Sequence, residues 1–426
     1  MTFIEKVKEN PAFKNFFLFL AILGPGIITG SVDNDAGGIT TYSVAGAMYG
    51  YNLIWTLIPA FVALLVVQEI NLRMGIFTGK GLADLIRENF GVKVTFWIFL
   101  GLLIADIGNT ATEFAGVAGS MNVFGVSKYI SVPLSAMGVW ILVTKGNYKL
   151  AERIFLLFSA CLLSYIISAL MAKPNWAEIG YAVVHPDIPF NHDYLNMVLG
   201  IIGTTIAPWM QFYMQSAVIE KGLREEDYNF AFWDVVVGCV ATITVALFII
   251  ISCAATLHQN GIVIEEAKDA ALALKPLAGV LASEVFAFGL FVASVFSATI
   301  LPLATAFYIC EAFGFEAGID KRPDQAPQFY TLFGFILVIS VILILIPNAP
   351  LISISIWTQI INALLLPVVL ISMILMVNNP QIMGDRVNNR FQNTVAWTTT
   401  VIIIILSCML LISPILGFFH KIFIPK

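Results

Sequence analysis

A chain of 426 residues that is 59% hydrophobic and only 12% charged, with a mean hydropathy of +0.90, excludes an ordinary soluble domain, which is nearer half apolar and a quarter charged. The formal net charge of −5 says little about partners, because in a membrane chain the placement of Lys and Arg matters more than their sum. Nothing in the composition points to nucleic acid, and no linker or low-complexity tract divides residues 1–426 into separately folding parts.

Apolar stretches of about 20 residues, enough to cross a hydrocarbon core as helices, recur from end to end. Eleven are predicted, at 17–46, 52–72, 95–121, 128–144, 152–171, 194–219, 232–256, 282–313, 329–346, 351–377 and 395–417, so the fold class is an all-α integral membrane protein of one domain. The N-terminus lacks the short apolar core and small-residue cleavage site of a secretory signal, so the first span is an anchor. With that terminus in the cytoplasm, sixteen of the 22 Lys and Arg fall inside and six outside. The bias predicts a multi-pass protein of the plasma membrane with a cytoplasmic N-terminus and an extracellular C-terminus, and leaves no Lys or Arg for the membrane interior. The five cysteines (Cys161, Cys239, Cys253, Cys310, Cys408) sit in apolar runs without paired spacing, which argues against disulfides or a bound zinc. The longest polar connections are 72–94, 172–193, 257–280 and 314–328. The second and third have room for short surface helices, and HPDIPFNHD at 185–193 reads as solvated loop.

Two spans differ from the rest. The first, LGPGIITGSVDNDAGGITTYSVAG at 23–46, carries six glycines and two aspartates, and the sixth, GIIGTTIAPWMQFYMQSAV at 200–218, has Pro208 at its middle. Gly weakens a helix and Pro removes a backbone donor, so both are predicted to open, which lipid permits only around a cavity or inside protein. They hold corresponding places in two blocks of five helices, the pattern of an inverted-repeat transporter with its substrate site at the breaks. Repeat one is placed at about 15–172, repeat two at about 194–378, and an extra C-terminal helix at about 395–417.

An acid at membrane depth is costly enough to mark function. Asp33 and Asp35 lie in the first break without a Lys or Arg, and freed carbonyls beside them make an oxygen-rich setting suited to Mg²⁺, Mn²⁺ or Ca²⁺. Two readings stand for each: cation ligand, or cap of the half-helix that starts at Ala36. One carboxylate can serve both. Among Glu69, Asp106, Glu113, Asp234 and Glu311, Glu113 on the third span is the acid expected to line the pathway, with a structural hydrogen bond as its alternative.

The run GPGIITGSVDNDAGGITTYSVAGAMYGY at 24–51 resembles the first span of the Nramp (natural resistance-associated macrophage protein) divalent-metal transporters, in which GPG is followed after eight residues by Asp-Pro-Gly-Asn. Eight residues after Gly26 stands Asp35. RMGIFTGKGLADLIRENFG (73–91), ATEFAGVAGS (111–120), GIIGTTIAPWM (200–210) and TQIINALLLP (358–367) are similar to later family segments, so the resemblance covers nearly the whole chain. It implies a LeuT-type inverted five-helix repeat with helices 1 and 6 unwound.

The resemblance carries the metal-binding Asp onto Asp35, the sixth-span carbonyl ligand onto Thr204 and a tenth-span Gln onto Gln359. The family's Asn ligand is replaced by Gly38 and its Met thioether by Ala207, leaving a roomier site without a soft ligand, which suits a partly hydrated Mg²⁺. The titratable relay positions are also replaced: the two histidines correspond to Trp209 and Met214, one third-span acid is Glu113 but the other is Gly116, and the ninth span, YTLFGFILVISVILILIP, has no Arg. These substitutions are similar to those of the Nramp-related magnesium transporter branch. They imply a uniporter that imports Mg²⁺, and also Mn²⁺, by alternating access without proton coupling, acting as a monomer with no cofactor and no enzymatic activity. The metal set implied is Asp35, Gly38, Thr204, Ala207, Glu113, Asp33 and Gln359. Two alternatives stay open: a proton-coupled Mn²⁺ or Fe²⁺ importer using Met210, and, remotely, a carrier of amino acids or organic anions, whose carboxylate Asp33 and Asp35 would repel.

Overall fold

The computed structural model describes residues 24–145, 148–189, 192–264, 269, 271, 279–347 and 351–423, and every regular element among them is a helix. The first span is two half-helices, α1 (Pro25–Val32) and α2 (Ala36–Tyr49). Then come α3 (Leu57–Thr78), α4 (Leu82–Val123), α5 (Lys128–Lys145), α6 (Tyr148–Cys161), α7 (Ser164–Met171) and the short connecting helix α8 (Trp176–Val184). The sixth span is again split, into α9 (His192–Thr205) and α10 (Pro208–Glu220). It is followed by α11 (Tyr228–Thr256), α12 (Val280–Phe313), α13 (Pro327–Leu345), α14 (Leu351–Val377) and α15 (Arg390–Phe423).

Each of the eleven predicted spans therefore coincides, over its described residues, with a helix or a pair of half-helices; positions 17–23 of the first lie outside the described residues. Seven helical stretches are long and apolar enough to cross a bilayer on that ground alone, the interrupted 193–220 stretch among them. Two local features differ from the sequence reading. The fifth span is interrupted at Leu162 and Leu163, between α6 and α7. The polar connection at 72–94 is largely helical, because α3 continues to Thr78 and α4 begins at Leu82, bending at Gly91, whose φ of 81° lies where side chains are disfavoured.

The two halves of the first span pack chiefly on α11, and α4 packs on α12 and α14. Close approach between α1 and α11 requires glycine: a Cβ on Gly26 would lie 2.6 Å from the Val235 nitrogen. The start of α1 is satisfied from across this contact. Asp234 on α11 accepts hydrogen bonds from the N–H groups of Gly26 at 2.7 Å, Gly24 at 3.2 Å and Ile27 at 3.3 Å. A helix start leaves its first N–H groups without partners, and here a carboxylate on another helix supplies the acceptor, aligned with the positive end of the dipole.

A second buried polar cluster encloses one of the basic side chains counted on the cytoplasmic side. Arg73 is 5% exposed and pairs with Glu69 one turn earlier at 2.8 Å. Glu69 also accepts from the Tyr228 hydroxyl at 2.6 Å and from Gln392 at 2.9 Å, while Arg73 donates to the Asn388 side chain and to the Arg386 carbonyl. The cluster ties α3 to the start of α11 and to α15. Farther along, Asp106 on α4 accepts from Thr305 at 2.7 Å and Tyr308 at 2.9 Å on α12, and Asn109 accepts from Asn362 on α14 at 3.1 Å.

Because Asp234 is the acceptor for three N–H groups, Asp234→Ala should lower stability by about 1–3 kcal/mol. Thermal unfolding of the purified protein in detergent measures this, and an unchanged midpoint would mean that α1 does not depend on the contact.

Candidate functional site

The first break consists of Asp33, Asn34 and Asp35, between the C-terminus of α1 and the N-terminus of α2. Asp35 is the N-cap of α2: its backbone is extended (φ −70°, ψ 177°) and its Oδ1 accepts from the Gly38 N–H at 2.6 Å. Glu113 on α4, 1% exposed, accepts from the Ala36 N–H at 3.0 Å. Both acids thus fill the capping role, and the second Asp35 oxygen is not part of that bond. Asp33 is 2% exposed, and neither of its carboxylate oxygens has a hydrogen-bond partner. Among the described residues no Lys or Arg forms an ion pair with Asp33, Asp35 or Glu113.

The second break follows from Pro208. A proline has no N–H to give the carbonyl four residues earlier, which is that of Thr204, in the last turn of α9. Ala207 is the N-cap of α10 without a side-chain cap, and its carbonyl accepts from Gln211 at 3.0 Å. The two breaks meet beside Gly38. A Cβ there would lie 2.6 Å from the Asp33 carbonyl oxygen, 3.2 Å from the Thr204 hydroxyl and 3.3 Å from Asp35 Oδ1. Three oxygens from both interrupted spans therefore converge on one point beside Gly38, so closely that even a methyl group there would clash with the Asp33 carbonyl. The C-termini of α1 and α9 direct the negative ends of their dipoles to the same region, which favours a cation.

Asp35, Thr40, Thr41, Gly203 and Thr204 are partly exposed, whereas Pro208–Val218 of α10 and all of α1 except Ile27 are buried. The site thus opens along α2 and α9 and is closed along α1 and α10. The two open-side half-helices are joined by the Tyr42–Thr205 hydroxyl contact at 2.9 Å and by Tyr49 packing edge-on against Tyr194, ring centroids 5.4 Å apart.

The remaining predicted positions are distributed as follows. Trp209 and Met214 are buried on α10, the first beside Tyr213 and the second accepting from the Thr29 hydroxyl at 3.6 Å. Gly116 faces the break with no room for a side chain: an added Cβ would collide with Ser294 Oγ and lie 2.7 Å from the Ala36 Cβ. Gln359 is on α14, and its side chain lies outside the described residues. Among the described residues no group of three or more His, Cys, Asp or Glu side chains forms a ready-made metal cluster, so the convergence at Gly38 rests on backbone and hydroxyl oxygen as much as on carboxylate.

Sequence reasoning singled out neither the Asp33 carbonyl beside Gly38 nor the capping role of Asp234. The Gly-Pro-Gly opening of α1 was the available signal for the latter, since it exposes N–H groups with no side chain of their own to cap them.

The family model described as "Nramp: Natural resistance-associated macrophage protein-like" matches residues 26–413. The chain belongs to the Nramp family. Among solved structures, the manganese transporter of Eremococcus coleocola, crystallised with an aromatic bis-isothiourea substituted compound, superposes with a TM-score of 0.77 at 20% identity, covering 98% of this chain and 90% of that one. A variant of the same transporter gives 0.76 at the same identity and coverage. A nucleobase-cation-symport-1 family transporter, in a closed conformation with bromovinylhydantoin bound, gives 0.59 at 11% identity over 94% of this chain and 93% of that one. These likenesses establish the fold: the Nramp arrangement, within the wider LeuT-like group. The family and these neighbours are transporters, and this member is a multi-pass membrane protein.

At Gly116 the family resemblance and the packing can be separated by experiment. Gly116→Glu, which reinstates an acid, should overpack the α2–α4–α12 contact at a cost of about 1–3 kcal/mol and give no proton movement in vesicles; a stable variant that acidifies the lumen would show that the space exists.

Proposed function

We propose that this Nramp member imports divalent cations, Mg²⁺ foremost and Mn²⁺ as well, as partly hydrated ions by alternating access and without proton coupling. The observation that carries the reading is the convergence of Asp35, Thr204 and the Asp33 carbonyl on the space beside Gly38. Asp35 supplies charge through the oxygen not used for capping, Thr204 offers the carbonyl that Pro208 leaves free, and Asp33 contributes its backbone oxygen. Ala207, shorter than the thioether the resemblance places there, leaves space for water retained by the ion, while the missing side chain at Gly38 is what lets the oxygens converge. Mg²⁺ gives up its water reluctantly, and an oxygen-only site suits it better than it suits ions that gain from a thioether. Glu113, held at the N-terminus of α2, acts on the water shell, and Gln359 helps to close the site.

The absence of proton coupling is supported by the side chains at the relay positions: Trp209, Met214 and Gly116 do not titrate. Entry is driven by the membrane potential, since two positive charges at −100 mV gain roughly 4–5 kcal/mol. A single membrane domain acting as a monomer in the plasma membrane, with its N-terminus in the cytoplasm, accounts for the distribution of basic residues. A second reading, a proton-coupled Mn²⁺ or Fe²⁺ importer with Met210 as its soft ligand, is favoured by the substrate named for the Eremococcus transporter.

Uptake into proteoliposomes, with a Mg²⁺-sensitive dye and a pH dye read under an inside-negative potential, separates the two. Saturable Mg²⁺ entry without a pH change supports the uncoupled reading; Mn²⁺ entry with proton influx and no Mg²⁺ signal favours the other. Asp35→Ala should abolish uptake of every divalent ion, and undiminished transport would sink the site. Ala207→Met should shift preference from Mg²⁺ towards Mn²⁺ in competition assays, whereas an unchanged ratio would remove the thioether argument.

A further inference from the structure

Beyond the divalent ion, the first break contains a second set of oxygens with no partner. The Asp33 carboxylate and the Asn34 side-chain oxygen are both enclosed, at 2% and 1% exposure, and none of the three oxygens accepts a hydrogen bond. Asn34 fixes the side of the break on which this happens. Its amide nitrogen donates to the Thr242 carbonyl on α11 at 3.3 Å, so the amide oxygen is necessarily its free end. Asp33 serves two directions, since its backbone carbonyl is the group beside Gly38 while its carboxylate takes no part in the capping bonds of Asp35 and Glu113.

Of the hydroxyls around the break, Ser294 has no partner among the described residues, but those of Thr242, Thr205, Tyr42 and Ser297 are already committed. Thr242 donates to a backbone carbonyl, with those of Gly30 and Gly238 both in reach. Thr205 donates to the Ile201 carbonyl at 2.7 Å, which leaves the Tyr42 hydroxyl as donor to Thr205 and the Tyr42 oxygen as an acceptor. Ser297 donates to the Val32 carbonyl at 3.4 Å. A buried carboxylate without a donor or a cationic side chain is among the most expensive arrangements a protein can hold, and it persists either as the neutral acid or with a cation beside it.

We propose that a small monovalent cation, of which Na⁺ is the probe, occupies a second site held by the Asp33 carboxylate and the Asn34 side-chain oxygen on the α11 side of the break. One carboxylate with neutral oxygens carries a single negative charge, which a monovalent ion cancels. A divalent ion would leave a buried excess charge and would have to shed its water in an enclosed space. The site differs from the one beside Gly38 in its ligands and in its enclosure, and it does not depend on the preference for Mg²⁺.

The test uses the full-length protein in detergent with divalent ions chelated, comparing melting temperature in Na⁺ with that in equal concentrations of N-methyl-D-glucamine, a cation too large for the site. Wild type should show a saturable rise in Na⁺, since a ligand that binds only the folded state stabilises it. Asp33→Asn, nearly isosteric, should lose the rise; Asn34→Leu, which leaves every ligand of the divalent site in place, should also lose it while keeping the stabilisation given by Mg²⁺ or Mn²⁺, and Asp35→Ala should do the reverse. Equal melting temperatures in the two salts for wild type overturn the proposal, as does a Na⁺ response that survives Asp33→Asn or one that Asp35→Ala also abolishes. Should Asp33→Asn fail to fold, radioactive Na⁺ binding to wild type at saturating Mg²⁺ decides: about one ion retained per chain supports a separate site, and complete displacement by Mg²⁺ overturns it. Failure of Mg²⁺ transport alone would leave these outcomes untouched and would count only against the divalent reading.

Discussion

An interrupted helix inside a membrane is tenable only if the ends it creates find partners, and in this protein nearly everything near the first break follows from that requirement. The new N-terminus at Ala36 is capped by Asp35 from its own chain and by Glu113 from α4, and the start of α1 is capped by Asp234 from α11. The acids that make the segment look improbable as a span are the groups that make it possible, because water is not there to take their place. The opposite ends, near Val32 and Thr205, leave last-turn carbonyls without an intrahelical donor, and such ends favour positive charge.

Much of this was legible in the sequence, and the reason is the severity of the membrane as a solvent. Eleven apolar stretches, a glycine-rich first span and Pro208 in the sixth leave few alternatives to the fold observed, and the Asp35 spacing after Gly-Pro-Gly points to the family directly. Of the two roles offered for Asp35, the structure shows the cap. What the sequence did not disclose were relations between distant segments. Asp234 lies some 200 residues from the N–H groups it accepts, and the contacts that exclude a side chain at Gly116 come from α2 and α12, neither of which a local pattern can encode. A charge count also cannot see that a neighbour one turn away lets the Arg73 guanidinium be enclosed by protein.

The proposed preference for Mg²⁺ rests on subtraction. Glycine and alanine stand where the resemblance places an amide and a thioether, and a smaller side chain at a ligand position exchanges protein contacts for water. Discrimination in such a site comes from how much hydration an ion is allowed to keep rather than from the strength of any one bond, so weak contacts and selectivity are compatible. The same subtraction at Gly116 brings α4 close to the break, where Glu113 reaches Ala36.

The enclosed Glu69–Arg73 pair has a consequence for how such a sequence drifts. Removing one partner strands the other as an uncompensated charge, a loss of about 3–5 kcal/mol, whereas replacing both with apolar residues of similar volume can be neutral. With Tyr228, Gln392 and Asn388 hydrogen-bonded to the same two side chains, single steps away from the pair are closed in several directions at once. Positions 69 and 73 are therefore expected to change together or not at all, and to carry a record of descent in this chain that the smoother apolar surfaces, free to exchange Leu for Ile or Val, have no reason to keep.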